Sequence, residues 1–284
     1  MKNKIHLFIF GIFILFSCKN ENEVVILTTA EDVISFSAID ASSILSITSN
    51  SDWHITCDEN WCHFSDSVGN GNVSLVLLCD NNLTITERET VLRIKAGDQS
   101  KSVVVKQKGG IVIFDENFVD NTNNWMLKST DTLEYRIADD FYVLKNLTQL
   151  GAYFVGTKSL IPEYYGSYQI SLRYVYISGY NPFGFTFANK NSENLYRFLA
   201  TPTGSYSFTK REENVNTNFI SSNSSAIGSD NTLRLIKIGT HCEMFVNDTL
   251  INTFELSTAF GSYVGFYLCA QTEVKVDFLN IIKF

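Results

Sequence analysis

The chain has little proline, few positive charges and no long stretch with the periodicity of an amphipathic helix. It contains three prolines in 284 residues, and 22 Lys and Arg residues face 30 Asp and Glu residues, for a formal net charge of −8. Neutralising nucleic-acid phosphates requires clustered Lys and Arg, and the sequence has no such cluster, so nucleic acid is not expected as a partner. With abundant aromatic and β-branched residues, the chain is predicted to be all-β, with one or two domains.

Long apolar runs are also missing, apart from one at residues 5–16. That run is short for a transmembrane helix but right for the apolar centre of a signal peptide, and Lys2 and Lys4 precede it. Ser17 and Cys18 follow it. A small residue before a cysteine, after an apolar run, resembles the lipobox of bacterial lipoproteins. The resemblance implies cleavage before Cys18 and a lipid anchor on that cysteine; an ordinary secretory signal with an incidental cysteine is the alternative.

Residues 18–23 are polar and partly acidic, so they are predicted to form a disordered tether after a signal peptide at 1–17. Acidic residues directly after a lipidated cysteine resemble the surface-export signal of lipoproteins in Bacteroidetes-type bacteria. The resemblance implies a location at the outer membrane or cell surface. Contact with the membrane is then expected only through the lipid on Cys18.

Residues 24–108 contain short β-rich segments separated by turn-forming residues, which predicts a small immunoglobulin-like sandwich. Several of its landmarks resemble, in order, those of the BACON domain. They are Trp53, Trp61, Gly69-Asn70-Gly71, Asn81-Asn82, Arg88 and Val105-Lys106-Gln107. The resemblance implies an immunoglobulin-like module that either binds carbohydrate or serves as a spacer. We expect a spacer here.

The stretch from residue 51 to residue 64 holds two tryptophans, two cysteines and two histidines. We expect Trp53 and Trp61 to be packing residues. The spacing of the cysteines and histidines matches no paired zinc knuckle. A disulfide from Cys57 to Cys62 or to Cys79 stays open in an exported protein. With Cys18 lipidated, an odd number of cysteines remains, so at least one is free or pairs between molecules: Cys57, Cys62, Cys79, Cys242 and Cys269.

Gly109 and Gly110 mark the boundary with a second block, residues 109–284. There Phe183, Phe185 and Phe187 alternate with small residues, as on a strand with one face in a core. Many such segments joined by Asn, Gly and Ser turns predict two stacked sheets in a jelly roll. The block also resembles the concanavalin A-like lectin/glucanase superfamily at residues 114–118 (FDENF), 183–187 (FGFTF), 194–198 (NLYRF), 245–248 (FVND), 265–267 (GFY) and 276–280 (VDFLN).

That resemblance raises two chemical possibilities. Glucanases of the superfamily carry paired carboxylates on one strand, and retaining hydrolysis needs such a pair. No segment of the sequence matches that pattern, so no catalytic residue and no organic cofactor is predicted. The superfamily also often holds a structural calcium near the first and last strands, which makes Asp115, Glu116 and Asp277 candidate ligands.

Sugar binding requires exposed aromatic rings and planar polar side chains. Strand alternation places Arg173 on a polar face, and we expect Arg173 and Arg197 to face one cleft that Tyr180 borders. Further tyrosines are candidates for the same site, with packing inside the sandwich as the alternative: Tyr164, Tyr196 and Tyr206.

The predicted function is that of a surface lipoprotein whose residues 109–284 capture a glycan, while residues 24–108 act as a spacer. Other surface proteins of glycan utilisation are expected partners. Two alternatives stay open: a polysaccharide hydrolase or lyase with an unrecognised carboxylate pair, and a structural or adhesive protein that binds another protein.

Overall fold

A computed structural model of the chain describes residues 23–161, 166–256 and 258–284. The predicted signal peptide at 1–17, the lipidation site Cys18, the tether up to residue 22 and Tyr164 lie outside the described residues. Within the described ranges the regular secondary structure is β-strand, which confirms the all-β prediction. No helix capable of crossing a membrane is found in this part of the chain.

The first block folds into nine strands. They are β1 (Leu27–Thr29), β2 (Val33–Phe36), β3 (Ala41–Ser49), β4 (Asp52–Cys57), β5 (Cys62–Phe64), β6 (Val68–Asn70), β7 (Val73–Cys79), β8 (Arg88–Ala96) and β9 (Gln99–Gln107). One sheet has the order β1-β3-β7-β5 and the other β2-β9-β8-β4-β6. Strand β2 pairs with β9 in parallel, and the other pairs are antiparallel.

Strand alternation explains how this small sandwich closes. In β7, Leu75 and Leu77 are fully buried while Val76 and Leu78 between them are exposed. A period of two places alternate side chains on opposite faces, so one face of each sheet can enter the shared core. That core includes Leu45, Ile47, Trp53, Ile55, Leu92, Ile94, Val103 and Val105.

The second block holds fifteen strands in the described residues. They are β10 (Ile111–Glu116), β11 (Lys128–Ser129), β12 (Leu133–Ala138), β13 (Phe141–Asn146), β14 (Ala152–Ser159), β15 (Tyr168–Gly179), β16 (Phe183–Asn191), β17 (Asn194–Ala200), β18 (Ser205–Glu212), β19 (Val215–Asn223), β20 (Asp230–Ile238), β21 (His241–Val246), β22 (Thr249–Glu255), β23 (Tyr263–Cys269) and β24 (Thr272–Lys283).

These strands form two antiparallel sheets around one core. The nine-stranded sheet has the order β11-β12-β13-β24-β15-β20-β21-β22, with β10 also pairing with β24. The six-stranded sheet has the order β14-β23-β16-β17-β18-β19. Both sheets contribute to a single hydrophobic cluster, for example Leu172 and Tyr174 from the first and Phe185, Phe198 and Phe266 from the second. The predicted jelly-roll-type sandwich is therefore present.

The two blocks meet at Gly109 and Gly110. The amide of Gly110 donates to the carbonyl of Thr84 (2.8 Å), and the side chain of Asn82 donates to the carbonyl of Lys108 (3.1 Å). A Cβ on Gly109 would lie 2.5 Å from the backbone of Ile85. The chain therefore leaves the small sandwich through a tight backbone contact that only glycine fits.

Four short or polar strands were not predicted from the sequence: β5, β6, β11 and β19. Strand β19 is the longest of them, and it is exposed along almost its whole length. It lacks the apolar alternation that identifies a half-buried strand, and its stability comes from pairing with β18.

Candidate functional site

The six-stranded sheet presents two unlike faces. On β16 and β17, Phe183, Phe185, Phe187 and Phe198 point into the core, whereas Arg197 lies on the opposite side. We call that opposite side the polar face. Its residues follow from strand register: Phe154, Tyr263, Gly265, Tyr267, Gly184, Thr186, Asn189, Leu195, Arg197, Leu199, Ser207, Thr209, Arg211, Asn216, Asn218 and Ser221.

Arg197 is held at the centre of the polar face. The residue is 7% exposed; its Nε donates to Thr209 Oγ1 (2.9 Å) and its Nη2 donates to Asn216 Oδ1 (2.8 Å). Its guanidinium carbon lies 4.9 Å from the centroid of the Tyr267 ring. A buried cation is costly unless it is compensated, and here neutral acceptors and an aromatic ring provide the compensation.

Aromatic rings continue from Tyr267 toward the edge of the sheet. Phe154 meets Tyr267 edge to face, with centroids 5.1 Å apart. Tyr263, two residues before Gly265 on the same strand, is 43% exposed. Tyr263 and Tyr267 occupy alternate positions of β23 and therefore share a face. Phe154 lies opposite Tyr267 on β14, so the three rings border one surface.

A cavity of about 190 Å³ lies beside these rings, lined by Phe154, Asn189, Lys190, Asn191, Ser192 and Tyr263. Asn189 is 3% exposed; its Nδ2 donates to Thr186 Oγ1 (2.7 Å), but its Oδ1 has no partner within the described residues. A buried acceptor without a donor is unfavourable, because its hydrogen bonds to water are lost. The cavity wall therefore includes a residue with an unpartnered buried acceptor.

A second hollow, of about 160 Å³, lies on the same sheet, and Leu199, Ser207 and Ser221 connect it to the polar face. The polar face therefore carries aromatic rings, guanidinium groups and amide groups on one surface, and each of the two hollows is lined in part by its residues. Neither hollow reaches the roughly 300–1,000 Å³ typical of drug-sized pockets, so each suits one small group of a larger ligand.

The structure separates the two arginines of the predicted cleft. Arg173 lies on the nine-stranded sheet, between core residues Leu172 and Tyr174, and it pairs with Asp277 (2.9 Å) and Asp230 (3.3 Å). Arg197 lies on the outward side of the other sheet. The prediction that one cleft holds both is wrong, because the shared core lies between them.

The predicted tyrosines also have different positions. Tyr196 and Tyr206 are 2% and 6% exposed, and both belong to the core cluster. Tyr196 stacks on Phe208, and burial raises the pKa of Tyr196 to about 12. This corrects the expectation that these two rings are open to a glycan, because both pack inside the sandwich. Tyr180 is 78% exposed in the turn between β15 and β16, and Pro182 of that turn lines the second hollow.

Two of the three candidate calcium ligands, Glu116 and Asp277, accept hydrogen bonds from N–H groups, and the third, Asp115, is exposed on β10. Glu116 is buried and accepts three N–H groups, from Phe118 N (2.7 Å), Asn123 Nδ2 (2.7 Å) and Trp125 Nε1 (2.6 Å). Asp277 accepts from Arg173. Calcium requires several free oxygen ligands, and N–H donors occupy both oxygens of Glu116 and one oxygen of Asp277. The described residues contain no group of three or more His, Cys, Asp or Glu side chains suited to a metal.

Sequence reasoning missed most of the polar face: Phe154, Tyr263, Tyr267, Asn189 and Arg211. A signal was present on β23, where Tyr263, Gly265 and Tyr267 alternate with Val264, Phe266 and Leu268. The strand contains aromatic residues at both kinds of position, so the pattern alone did not show which rings face outward.

The fold defines a protein with two β-sandwich domains, each with its own hydrophobic core. Residues 51–108 match the family model of the BACON domain, described as "Putative binding domain, N-terminal", which confirms the resemblance seen in the sequence. No curated protein matches the chain.

Solved structures resemble parts of the chain at low identity. The carbohydrate binding module CBM66 from Bacillus subtilis is 13% identical, with 55% of this chain and 96% of that chain covered and a TM-score of 0.42. A Bacillus subtilis protein of galectin-like fold is 10% identical, with 61% and 96% covered and a TM-score of 0.46. A Bacteroides ovatus GH5 xyloglucanase, solved with a XXXG heptasaccharide, is 23% identical, with 36% of this chain covered and a TM-score of 0.29. The chain spans 22% of that xyloglucanase.

Proposed function

We propose that this protein binds carbohydrate on the polar face of its six-stranded sheet. Residues 24–108 act as a spacer in this proposal, and a lipid on Cys18 anchors the protein to the outer membrane or cell surface. The observation that carries the proposal is the Arg197–Tyr267–Phe154 arrangement, continued by Tyr263 into a cavity that Asn189 also lines.

The chemistry of sugars matches this surface. A pyranose has an apolar face, which an aromatic ring can cover, and a rim of hydroxyl groups, which need planar donors and acceptors. Tyr263 and Tyr267 supply rings, while Arg197, Asn189 and Asn216 supply polar groups on the same side of the sheet. No Asp or Glu occupies a strand position of the polar face in the described residues, so we propose capture of the glycan without cleavage.

The test compares two exposed tyrosines. Tyr263→Ala removes a ring beside the Asn189 cavity, and Tyr180→Ala removes one from the β15–β16 turn, which does not line that cavity. Both rings are exposed, so neither change opens the core. We expect Tyr263→Ala to weaken binding to a glycan by up to about tenfold, as loss of one aromatic contact of about 0.5–1.5 kcal/mol implies. Tyr180→Ala should leave binding unchanged.

Binding is measured by affinity electrophoresis of the purified chain against a panel of plant, host and microbial polysaccharides, with analysis of the polymer after each hit. Loss of binding in Tyr180→Ala, but not in Tyr263→Ala, would place the site in the β15–β16 turn and contradict the proposal. Shortened polymer would favour a hydrolase or lyase.

The anchoring part of the proposal has its own test. Cys18→Ala should move the protein from the membrane fraction to the soluble fraction of its host, since lipid on that cysteine is the only membrane contact proposed. Retention in the membrane fraction would contradict it.

A further inference from the structure

The arginines of the larger sandwich fall into two groups. Arg136, Arg173 and Arg234 each pair with a carboxylate: Glu134 (2.8 Å), Asp277 (2.9 Å) and Asp248 (3.2 Å), respectively. Arg197 and Arg211 lie on the polar face, and neither forms an ion pair within the described residues. The chain has a net charge of −8, so carboxylates outnumber basic groups. Two arginines without a carboxylate partner on one face therefore differ from the other three arginines of this sandwich.

The partners of these two arginines are neutral. Arg197 donates to Thr209 and Asn216, and Arg211 Nη2 donates to Asn214 Oδ1 (2.8 Å). The Nε of Arg211 is buried and has no partner within the described residues. An unsatisfied buried donor on a charged group is unfavourable, so the surroundings of Arg211 do not fully compensate its charge.

Strand register brings the two arginines close together. Arg197 pairs with Thr209 and Leu195 with Arg211, so Arg197 and Arg211 occupy diagonal positions on adjacent strands. Diagonal neighbours in an antiparallel pair lie about 7–8 Å apart, within reach of one bound group for such long side chains. The exposed Lys190, which lines the adjoining cavity, adds a third cation on the same side of the sheet.

Acidic groups nearby do not neutralise these cations. Glu212 pairs with Lys210 (2.7 Å). Lys210 lies opposite the core residue Tyr196, so this ion pair is on the side of the sheet away from the polar face. Glu193 and Glu213 lie in the turns that flank β17 and β18, and neither forms an ion pair with Arg197 or Arg211 in the described structure. The polar face is therefore positive within an acidic protein.

We infer that the polar face selects an acidic glycan, one that carries carboxylate or sulfate groups. A guanidinium presents parallel N–H donors that match a carboxylate or sulfate, and such charge-assisted bonds are stronger than bonds to neutral hydroxyls. The acid group binds at Arg211 and Arg197, and the neighbouring sugar ring lies toward Tyr267 and the Asn189 cavity. This inference rests on the proposed function and adds the class of ligand to it.

The experiment uses polymers in pairs that differ only in charge: polygalacturonate with its carboxyl-reduced form, and dextran sulfate with dextran. Each is tested by affinity electrophoresis with the full chain at low and high salt, together with a panel of neutral polysaccharides. We expect one or both acidic polymers to bind more tightly than their neutral partners, and this binding to weaken as salt rises. Which acidic polymer binds distinguishes carboxylate from sulfate.

Matched variants locate the charge. Arg211→Gln should reduce binding of the acidic polymer at least tenfold. Arg211→Lys keeps the positive charge but not the two parallel N–H donors of the guanidinium, so it should retain part of the binding. Arg234→Gln is the control, because Arg234 lies on the nine-stranded sheet and pairs with Asp248. Melting temperatures of all three variants show whether they are folded.

The outcomes separate the two proposals. Binding of neutral polymers alone, or equal losses in Arg211→Gln and Arg234→Gln, would overturn the acidic-ligand inference and leave glycan binding in place. Binding of no polymer, acidic or neutral, would overturn both.

Discussion

At the scale of single residues, Glu116 shows how a candidate site residue can be a structural one. The sequence places it near the first strand, where it is a candidate calcium ligand. In the structure its carboxylate accepts three N–H groups, one of them from the indole of Trp125. Trp125 in turn packs against Phe118, Tyr142 and Phe266, with ring centroids 5.3–5.7 Å away. Glu116 thus fixes an aromatic cluster of the core.

Glu116→Gln should therefore lower stability without affecting glycan binding. The amide offers one acceptor oxygen in place of two, so at least one N–H loses its partner, at a cost of about 1–3 kcal/mol. Urea unfolding followed by tryptophan fluorescence measures the change.

Glu134→Gln is the matched control, because the Glu134–Arg136 pair is largely exposed and such pairs contribute about 0–1 kcal/mol. Equal losses in the two variants would contradict the structural role of Glu116. Lost polymer cleavage with unchanged stability would point to a catalytic role instead.

The landmarks of the small sandwich turn out to contact one another. Arg88 covers the ring of Trp61 at 4.3 Å and donates from Nε to Gln107 Oε1 (2.8 Å). Gln107, fully buried, donates to the carbonyls of Ala38 (3.0 Å) and Asp80 (2.9 Å). The expectation that Trp53 and Trp61 are packing residues is confirmed, since both are buried. Trp61, Arg88 and Gln107, far apart in sequence, therefore form one connected unit in the fold.

At the scale of strands, register decides which cysteines can react with each other. The sequence left open a disulfide from Cys57 to Cys62 or Cys79. The described cysteines are all free thiols, and β5 pairs with β7 so that Cys62 lies opposite Cys79. Backbone bonds join Asp80 to Trp61 (2.8 Å) and Ser65 to Val76 (3.0 Å), so the Cys62–Cys79 position is the non-hydrogen-bonded one. There the Cα atoms are about 4.5 Å apart, within the disulfide range.

Treatment with diamide, a two-electron thiol oxidant, should join Cys62 to Cys79. The Cys62 thiol donates to Cys79 and lowers the pKa of Cys79, so the Cys79 thiolate attacks diamide first. Cys62 then displaces the reduced diamide as the S–S bond forms, and two protons end on the hydrazine product. Peptide mapping by mass spectrometry should find a Cys62–Cys79 peptide.

Cys57→Ser should leave that crosslink intact, and Cys62→Ser should abolish it. A crosslink that uses Cys57 in the wild-type chain would contradict the register argument.

At the scale of the whole molecule, the junction joins two separate hydrophobic cores. One cluster is built from residues 34–105 and the other from residues 118–281. Between them, a Cβ on Gly109 would meet the backbone of Ile85 and Thr86 at 2.5–2.6 Å. A backbone contact cannot be relieved by a rotamer change, so a side chain at this position must displace the 84–86 loop.

Gly109→Ala should loosen the junction while leaving both cores folded. We expect a destabilisation of about 1–3 kcal/mol, the usual cost of inserting a methyl group into a filled site. Hydrogen exchange should rise at Gly110, whose amide bonds to Thr84. Gly228→Ala is the control, since a Cβ there meets nothing within 4 Å. Unchanged exchange at Gly110 would show that the contact does not hold the junction.

The sequence by itself determined the all-β class, the small sandwich and the alternation of strands such as β7 and β16, because each depends on side-chain periodicity within a few residues. It did not determine strand β19, whose polar residues become a strand only by pairing with β18. The sequence also led to a wrong prediction, that Arg173 and Arg197 face one cleft, because both alternate with apolar neighbours in the same way. Only tertiary structure decided that a core separates them, and that Tyr267, Phe154 and Asn189 join Arg197 on one face. Such a face is assembled by pairing between strands up to about a hundred residues apart, which no local pattern records.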